Sequence, residues 1–487
     1  MSVGALRRLG LALPAVGLVA VVVAGLGPAQ SSRFPAPVPV ADCGPGARPE
    51  SGVQGRVPAD DFESGRAVRG YRCNTRPVGH VPGAGGFKVL RHVDSSGREC
   101  AYYDASQLLP VALPLQAGAA STGQGVRVLD MSDPREPRVA ASLTTPTMLS
   151  PHESLLVNRR RGLLAAVMGN AFASLGVLEV YDIDTDCRAP TLLSRTTEAT
   201  LGHESGWTRD GLTFYAASSG GQTLTAIDLS DPTAPKRLFE QHGVNYHGMR
   251  LSADGRTMYV AHIGNDLSGL TLPGEGLRIL DVSEIQDRLP DPGVQVVSNL
   301  SWDEGSIPQV AQPFRRKGRD YLLEVDEFST VGLNDGSVDP RRSVVGAARI
   351  VDVTDAGSPR VVSDLRLQVH QPADRVEAGD DPGASNPFGG YTAHYCSLPR
   401  FRNPRLAACS MIGSGLRVFD IRDVRRPREV AYFNQPVAPG SDASESSGAS
   451  AFSQPAWDVA DRSIWYSDET SGFWVVRLTN GVARLLR

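Results

Sequence analysis

One short pattern recurs along this chain: an apolar–polar alternating run, an Asp, then a turn marked by a second acid or by Pro. Its copies are Val126–Pro134, Leu178–Asp186, Leu224–Pro232, Leu277–Glu284, Ala348–Asp355 and Leu416–Asp423, with a weaker seventh at Phe473–Asn480. The Asp that ends each run stands at 130, 182, 228, 281, 352 and 420, so successive copies lie 52, 46, 53, 71 and 68 residues apart. An interval of about 45–55 residues is one four-stranded blade per repeat, and the longer intervals carry insertions. Five alternating residues rich in β-branched side chains make a strand buried mostly on one face. The Asp then accepts backbone N–H groups and starts a turn. Pro137, Pro190, Pro235, Pro359 and Pro427 keep that edge from pairing further.

A second element follows the first. It reads Leu149–Asn158, Leu201–Gly211 and Asn245–Gly255 in its three clearest copies. Asp210-Gly211 and Asp254-Gly255 are hairpin turns, with Gly supplying the positive φ. The run after each, such as Thr257–Ala261, is the partner strand. Each repeat therefore supplies several antiparallel strands, and about seven repeats close a ring. Closure protects the strand edges, which lets a long all-β chain stay soluble. The expected fold is an all-β propeller of seven blades over residues 70–487. A Pro/Gly-rich arm at 32–69 wraps its outside. No segment carries long helical periodicity.

The repeats, written G-[LV]-x-[IV]-x-D-[IV]-[ST]-D-P, resemble LVIVD-repeat proteins, a group of secreted bacterial β-propellers. Leu277–Asp281 (Leu-Arg-Ile-Leu-Asp) and Leu416–Asp420 (Leu-Arg-Val-Phe-Asp) carry the resemblance best, and it spans roughly Gly70 to Arg487. It implies the propeller fold and an exported location, and little about activity.

The N-terminus is consistent with export. Arg7 and Arg8 precede an apolar run from Leu9 to Leu26, and small residues follow near Gly27–Ser31. Residues 1–31 read as a signal peptide or, if uncut, as an N-terminal anchor. Six cysteines suit an oxidising compartment: Cys43, Cys73, Cys100, Cys187, Cys396 and Cys409. Spacing favours Cys396 with Cys409 across a hairpin, Cys73 with Cys100 around one blade-sized segment, and then Cys43 with Cys187. The formal charge of -4 over 487 residues indicates neither a nucleic-acid surface nor an anionic-membrane patch. Basic residues are almost all Arg, which reads as composition. Only Lys88, Lys236 and Lys317 are Lys.

Chemistry concentrates at the head of the second element. His152, His203 and His247 follow their repeat Asp by 22, 21 and 19 residues. Gln309, His394 and Gln454 continue the column in later blades. One such position per blade, at the start of the innermost strand, surrounds the central channel. Four neutral imidazoles converging there, from His152, His203, His247 and His394, would hold Fe, Cu or Zn. Glu153 and Glu204, which follow His152 and His203, would orient the rings from behind. The structural alternative is that repeats copy residues, so these His merely line a channel or cap a strand. Asp303-Glu304 and Asp326-Glu327 in blade five have two readings, acids facing the channel or solvated loop carboxylates, and the second is favoured. The loops at 376–390 and 440–450 precede His394 and Gln454, and so belong on the His face as a lid or partner surface. No nucleophile elbow, dinucleotide loop or calcium loop is present. Two functions follow. One is a binding or scaffold propeller in the cell envelope, a monomer with an unknown protein or small-molecule partner. The other is a metal-dependent enzyme, oxidase- or oxygenase-like. They part on whether the ring nitrogens converge to roughly 2–3 Å from one point.

Overall fold

The computed structural model describes residues 34–105, 125–169, 176–199, 202–218, 221–264, 276–302, 307–328, 345–379, 381–382, 390–437 and 449–487. The signal segment and Asp303-Glu304 lie outside them. Seven antiparallel sheets form the blades of a propeller. Blade 1 runs from inside outward as Val89–Val93, Glu99–Asp104, Val126–Asp130 and Arg138–Leu143. The inner strands of blades 2 to 7 are Leu156–Asn158, Ser205–Trp207, Tyr246–Leu251, Ile307–Arg316, Tyr395–Ser397 and Ala456–Asp458. Blade 7 is closed by both ends of the chain: Thr75–Val81 pairs antiparallel with Gly472–Leu478, from Thr75 opposite Leu478 to Val81 opposite Phe473. Blade 6 gains a fifth strand, Tyr71–Cys73, outside Arg428–Asn434. Helices are short and confined to connections.

The repeated motif is the third strand of each blade plus the turn that leaves it. In six blades the terminal Asp accepts the N–H two residues on. Asp130, Asp182 and Asp228 each do so at 2.9 Å, Asp281 at 2.8 Å, Asp352 at 3.1 Å and Asp420 at 3.0 Å. The Asp-Gly pairs are hairpins between inner and second strands, with Gly211 at φ 79° and Gly255 at φ 76°. The apolar positions of the third strand pack between blades. Val126 and Val128 meet Leu164 and Ala166 of blade 2, and Leu178 and Val180 meet Phe214 and Ala216 of blade 3. Each such side chain contributes about 1.5–3 kcal/mol when fully buried, so the blade-to-blade seams hold the ring.

The disulfides correct two expected pairings. Cys396 pairs with Cys409, directly opposite it across two strands of blade 6. Cys73 pairs with Cys43, not Cys100, and ties the arm to the added strand of blade 6. Cys100 pairs with Cys187, joining the second strand of blade 1 to the turn after the third strand of blade 2. Neighbouring blades bring side chains together that chain spacing does not reveal. The arm is also held by ions: Arg417 Nη1 meets Glu429 at 3.0 Å, and its Nη2 pairs with Glu50.

Cys100–Cys187 closes a loop of 87 residues and Cys396–Cys409 one of 13. Loop entropy assigns them about 4.5 and about 3 kcal/mol. Replacing both cysteines of the longer loop by Ala should lower the melting temperature more than the same change in the shorter one. Calorimetry of the two double variants measures the order, and a reversed order would show that the links act through native packing instead.

Candidate metal centre

All seven inner strands start at one end of the axis, and the side chains at their heads face one another. Glu153 lies among the imidazoles. Its Oε2 is 3.1 Å from His203 Nε2 and 3.6 Å from His247 Nε2, and its Oε1 is 2.9 Å from His394 Nε2. Glu327, at the end of the second strand of blade 5, is 3.3 Å from His247 Nε2 and 2.9 Å from His394 Nε2. The Nε2 atoms of His203 and His247 are 2.8 Å apart. His152 stands at the edge, its ring 4.4 Å from that of His203 and stacked on Phe87. Its backbone φ of 48° is left-handed, an uncommon state for a side-chain-bearing residue and one found where surrounding structure imposes it. Four expected imidazoles thus meet, with Glu153 directly among them and not behind them.

Two rings are aimed by the backbone of another blade. His247 Nδ1 is 2.8 Å from the Pro308 carbonyl of blade 5, and His394 Nδ1 is 2.5 Å from the Phe452 carbonyl before blade 7. A carbonyl can only accept, so Nδ1 carries the proton and Nε2 points its lone pair at the centre when the ring is neutral. Gln309 donates to Glu153 Oε1 at 2.6 Å and fixes that carboxylate. In blade 4 the residue after the His is Gly248, where a Cβ would lie 2.1 Å from the Gln309 carbonyl oxygen. That approach excludes a third Glu there.

Donors held about 2.1 Å from one ion at near-tetrahedral or octahedral angles are themselves about 3.0–3.4 Å apart. The N–O and N–N separations here, 2.8–3.6 Å, fall around that span. His152, Glu153 and His203 form one group of potential ligands, and Glu153, Glu327 and His394 another, with Glu153 common to both. His152 Nδ1, Glu153 Oε2 and Gln309 Oε1 are buried without a hydrogen bond among the described residues. The donor set therefore fits a cation. His152 and His203 are partly exposed, whereas His247, His394 and both Glu are buried, so the centre has one open side.

Electrostatics agree. Burial opposes charge on His394, but the carboxylates of Glu153 and Glu327 outweigh it and hold the ring up at about 10. Burial likewise opposes charge on His203, and Glu153 raises it. Burial and the neighbouring imidazole of His203 push His152 down to about 3. Without a metal, two buried carboxylates are thus balanced by imidazolium.

Glu204 departs from expectation. It repeats the His-Glu-Ser sequence of Glu153 and pairs with it by a parallel bridge, yet it faces away from the imidazoles. Its Oε2 takes Lys88 Nζ at 2.6 Å and the Tyr395 hydroxyl, and its Oε1 takes Arg250 at 2.8 Å. Gln454 joins this second tier, 3.3 Å from Lys88 and 3.2 Å from Arg250. Burial lowers the Lys88 ammonium to about 8 despite Glu204, and the ammonium sits 3.9 Å above the Tyr395 ring. Asp326 and Glu327 are buried, not solvated. Asp326 is taken by Arg349 at 2.8 Å and by Trp302 at 2.9 Å. Lys88 was missed as a site residue, and of the two readings of Glu327 the channel-facing one, ranked second, is what the structure shows. Lys88 immediately precedes the first inner strand, and that position was a usable signal.

No family model and no curated protein matches the chain. Among solved structures it is similar to Kuenenia stuttgartiensis hydrazine synthase at 13% identity and TM-score 0.49, over 82% of this chain and 97% of that one. It is similar to the periplasmic gluconolactonase PpgL of Pseudomonas aeruginosa at 14% identity and TM-score 0.47, over 74% and 89%. A Lactobacillus plantarum protein gives 13% and 0.47, over 76% and 89%. Nothing about activity is carried over from them.

His394 has its folded value raised from 6.5 to about 10. Its contribution is complete below the unfolded value and is lost as pH rises through the folded one. In protein stripped of metal by chelation, stability should fall between pH 6.5 and pH 10 by an amount on the order of a few kcal/mol. His394→Gln should flatten that fall in denaturant titrations. An unchanged slope in the variant would remove His394 from the balance.

Proposed function

We propose that this propeller binds one divalent first-row transition metal at the head of its inner strands, and that the metal centre is its working site. The observation that carries this reading is the meeting of His203, His247, His394, Glu153 and Glu327 at ligand-like separations, with His152 alongside. Imidazole mixed with carboxylate suits Fe(II) or Zn(II) better than a soft-ligand Cu(I) site. Of the two, Fe(II) in an oxidase or oxygenase is the reading favoured, because His152 and His203 are the partly exposed rings and theirs is the side from which a small reactant would reach the ion. When bound, the metal would supply Lewis acidity or electron transfer. The chain's own part is to hold the donors. His247 and His394 are oriented from Pro308 and Phe452, Gln309 steadies Glu153, and Phe87 and Phe452 keep apolar surface against the rings.

Two finer readings accompany it. The Leu-Arg-Ile-Leu-Asp and Leu-Arg-Val-Phe-Asp copies support placing the chain among LVIVD-repeat proteins. Three disulfides support an extracytoplasmic location. A binding or scaffold role in the cell envelope would need only the ring and its loops, and it is what remains if the axis holds no metal.

Elemental analysis of protein matured by export and never exposed to chelators tests the proposal. About one Fe or Zn per chain is expected in the wild type. His203→Ala and Glu327→Gln should each lower occupancy severalfold while keeping the wild-type circular dichroism. Occupancy should also drop on acidification, because protons compete for the same imidazoles and carboxylates. Absence of stoichiometric metal from folded wild-type protein would leave the scaffold reading.

A further inference from the structure

Beyond the Lys88–Glu204 tier the axis opens at its other end, where the inner strands finish. The opening is a cavity of about 540 Å³, within the range of small-molecule sites. Arg91, Arg159, Arg160, Arg209 and Arg250 line it, and no carboxylate stands among its lining residues. Their hydrogen bonds leave much of that charge unmet. Arg250 is engaged by Glu204 and Arg91 by Glu99, whereas Arg159 donates to the Arg91 carbonyl, a neutral acceptor. Arg160 and Arg209 form no ion pair with any described residue. Trp207 lines the same wall, and its indole N–H is buried without an acceptor among the described residues.

Arg159, Arg160 and Arg209 thus stand together in the concavity with no ion-pair partner among the described residues; like charges so gathered repel one another, and that cost is relieved by an anion. Guanidinium is also the group best shaped to grip carboxylate or phosphate oxygens in pairs. The hairpins explain the placement. Asn158-Arg159-Arg160 and Trp207-Thr208-Arg209 are inner-strand ends and turns of blades 2 and 3, so their side chains reach the mouth of the axis from adjacent blades. We propose that this lower vestibule is a binding site for a small organic polyanion bearing clustered carboxylate or phosphate groups. It is separate from the His/Glu centre, which occupies the opposite end of the same strands.

Calorimetric titration tests the site with two probes, fructose 1,6-bisphosphate and tricarballylate, and with fructose as the neutral control. The wild type should bind at least one probe with a Kd below about 1 mM, and more weakly as NaCl is raised. Which probe binds more tightly tells phosphate from carboxylate. Arg160→Glu/Arg209→Glu should weaken binding by about tenfold or more, and the charge-neutral Arg160→Gln/Arg209→Gln should fall between. Both positions are exposed, so melting temperature and metal content should stay at wild-type values, which separates failure here from failure of the metal reading. Equal binding by variants and wild type would overturn the proposal, as would no binding of either probe. Binding of heparin alone, lost in the same variants, would also overturn it and assign the patch to an extended polyanion.

Discussion

The ladder between Thr75–Val81 and Gly472–Leu478 turns a row of sheets into a ring. Everything on the axis depends on that closure. An open row would leave a bare edge on the last blade and the heads of the inner strands fanned apart. Once closed, the strands run parallel around a narrow core, and the first side chains of each have only one another to face. Gly248 shows how tight the fit is: the blade 5 carbonyl occupies the place of its missing Cβ. A polar group in such a place is satisfied by the opposite blade or not at all.

The axis is accordingly layered by charge. Carboxylates and imidazoles meet at the head. Lys88, Glu204, Tyr395, Arg250 and Gln454 follow, and at the far mouth Arg159, Arg160 and Arg209 add guanidiniums with no ion-pair partner among the described residues. Buried ion pairs add little net stability, because desolvation offsets their attraction. Apolar side chains would hold the ring at least as well. The interblade seams already do so with Val, Leu, Ala and Phe. An axis built of titratable groups instead is thus better explained by ligands than by folding, and perturbed imidazoles such as His152 and His394 mark functional places in general.

Much of this was legible in the sequence where the repeat governs it. The terminal Asp announces the third strand and its turn because one side chain–backbone bond recurs in six blades. The first three His of the column were legible because near-equal offsets in a repeat, 22, 21 and 19 residues, become similar heights on an axis. What escaped was everything set by a neighbour from another blade. Cys100 and Cys187 are 87 residues apart, yet their blades are adjacent. Glu327 ends a second strand, outside the register that the His define, and so resembled a loop acid. Lys88 precedes the first copy of the repeat, so no offset from a repeat Asp marked it, and only its place just before the first inner strand did.

Glu153 and Glu204 carry this furthest. Both stand in His-Glu-Ser, both are buried, and a backbone bridge joins them in register. Their local sequence cannot tell them apart, and their chemistry is opposite. Glu153 receives Gln309 and the imidazoles, whereas Glu204 receives an ammonium, a guanidinium and a phenol. Because Lys88 and Arg250 neutralise Glu204, its charge is answered within its own tier. The charge of Glu153 and Glu327 then has to be answered at the head of the axis, by protons or by a metal. A repeat thus supplies the same residue twice, and the identity of the facing blade decides whether it meets imidazoles, as Glu153 does, or an ammonium and a guanidinium, as Glu204 does.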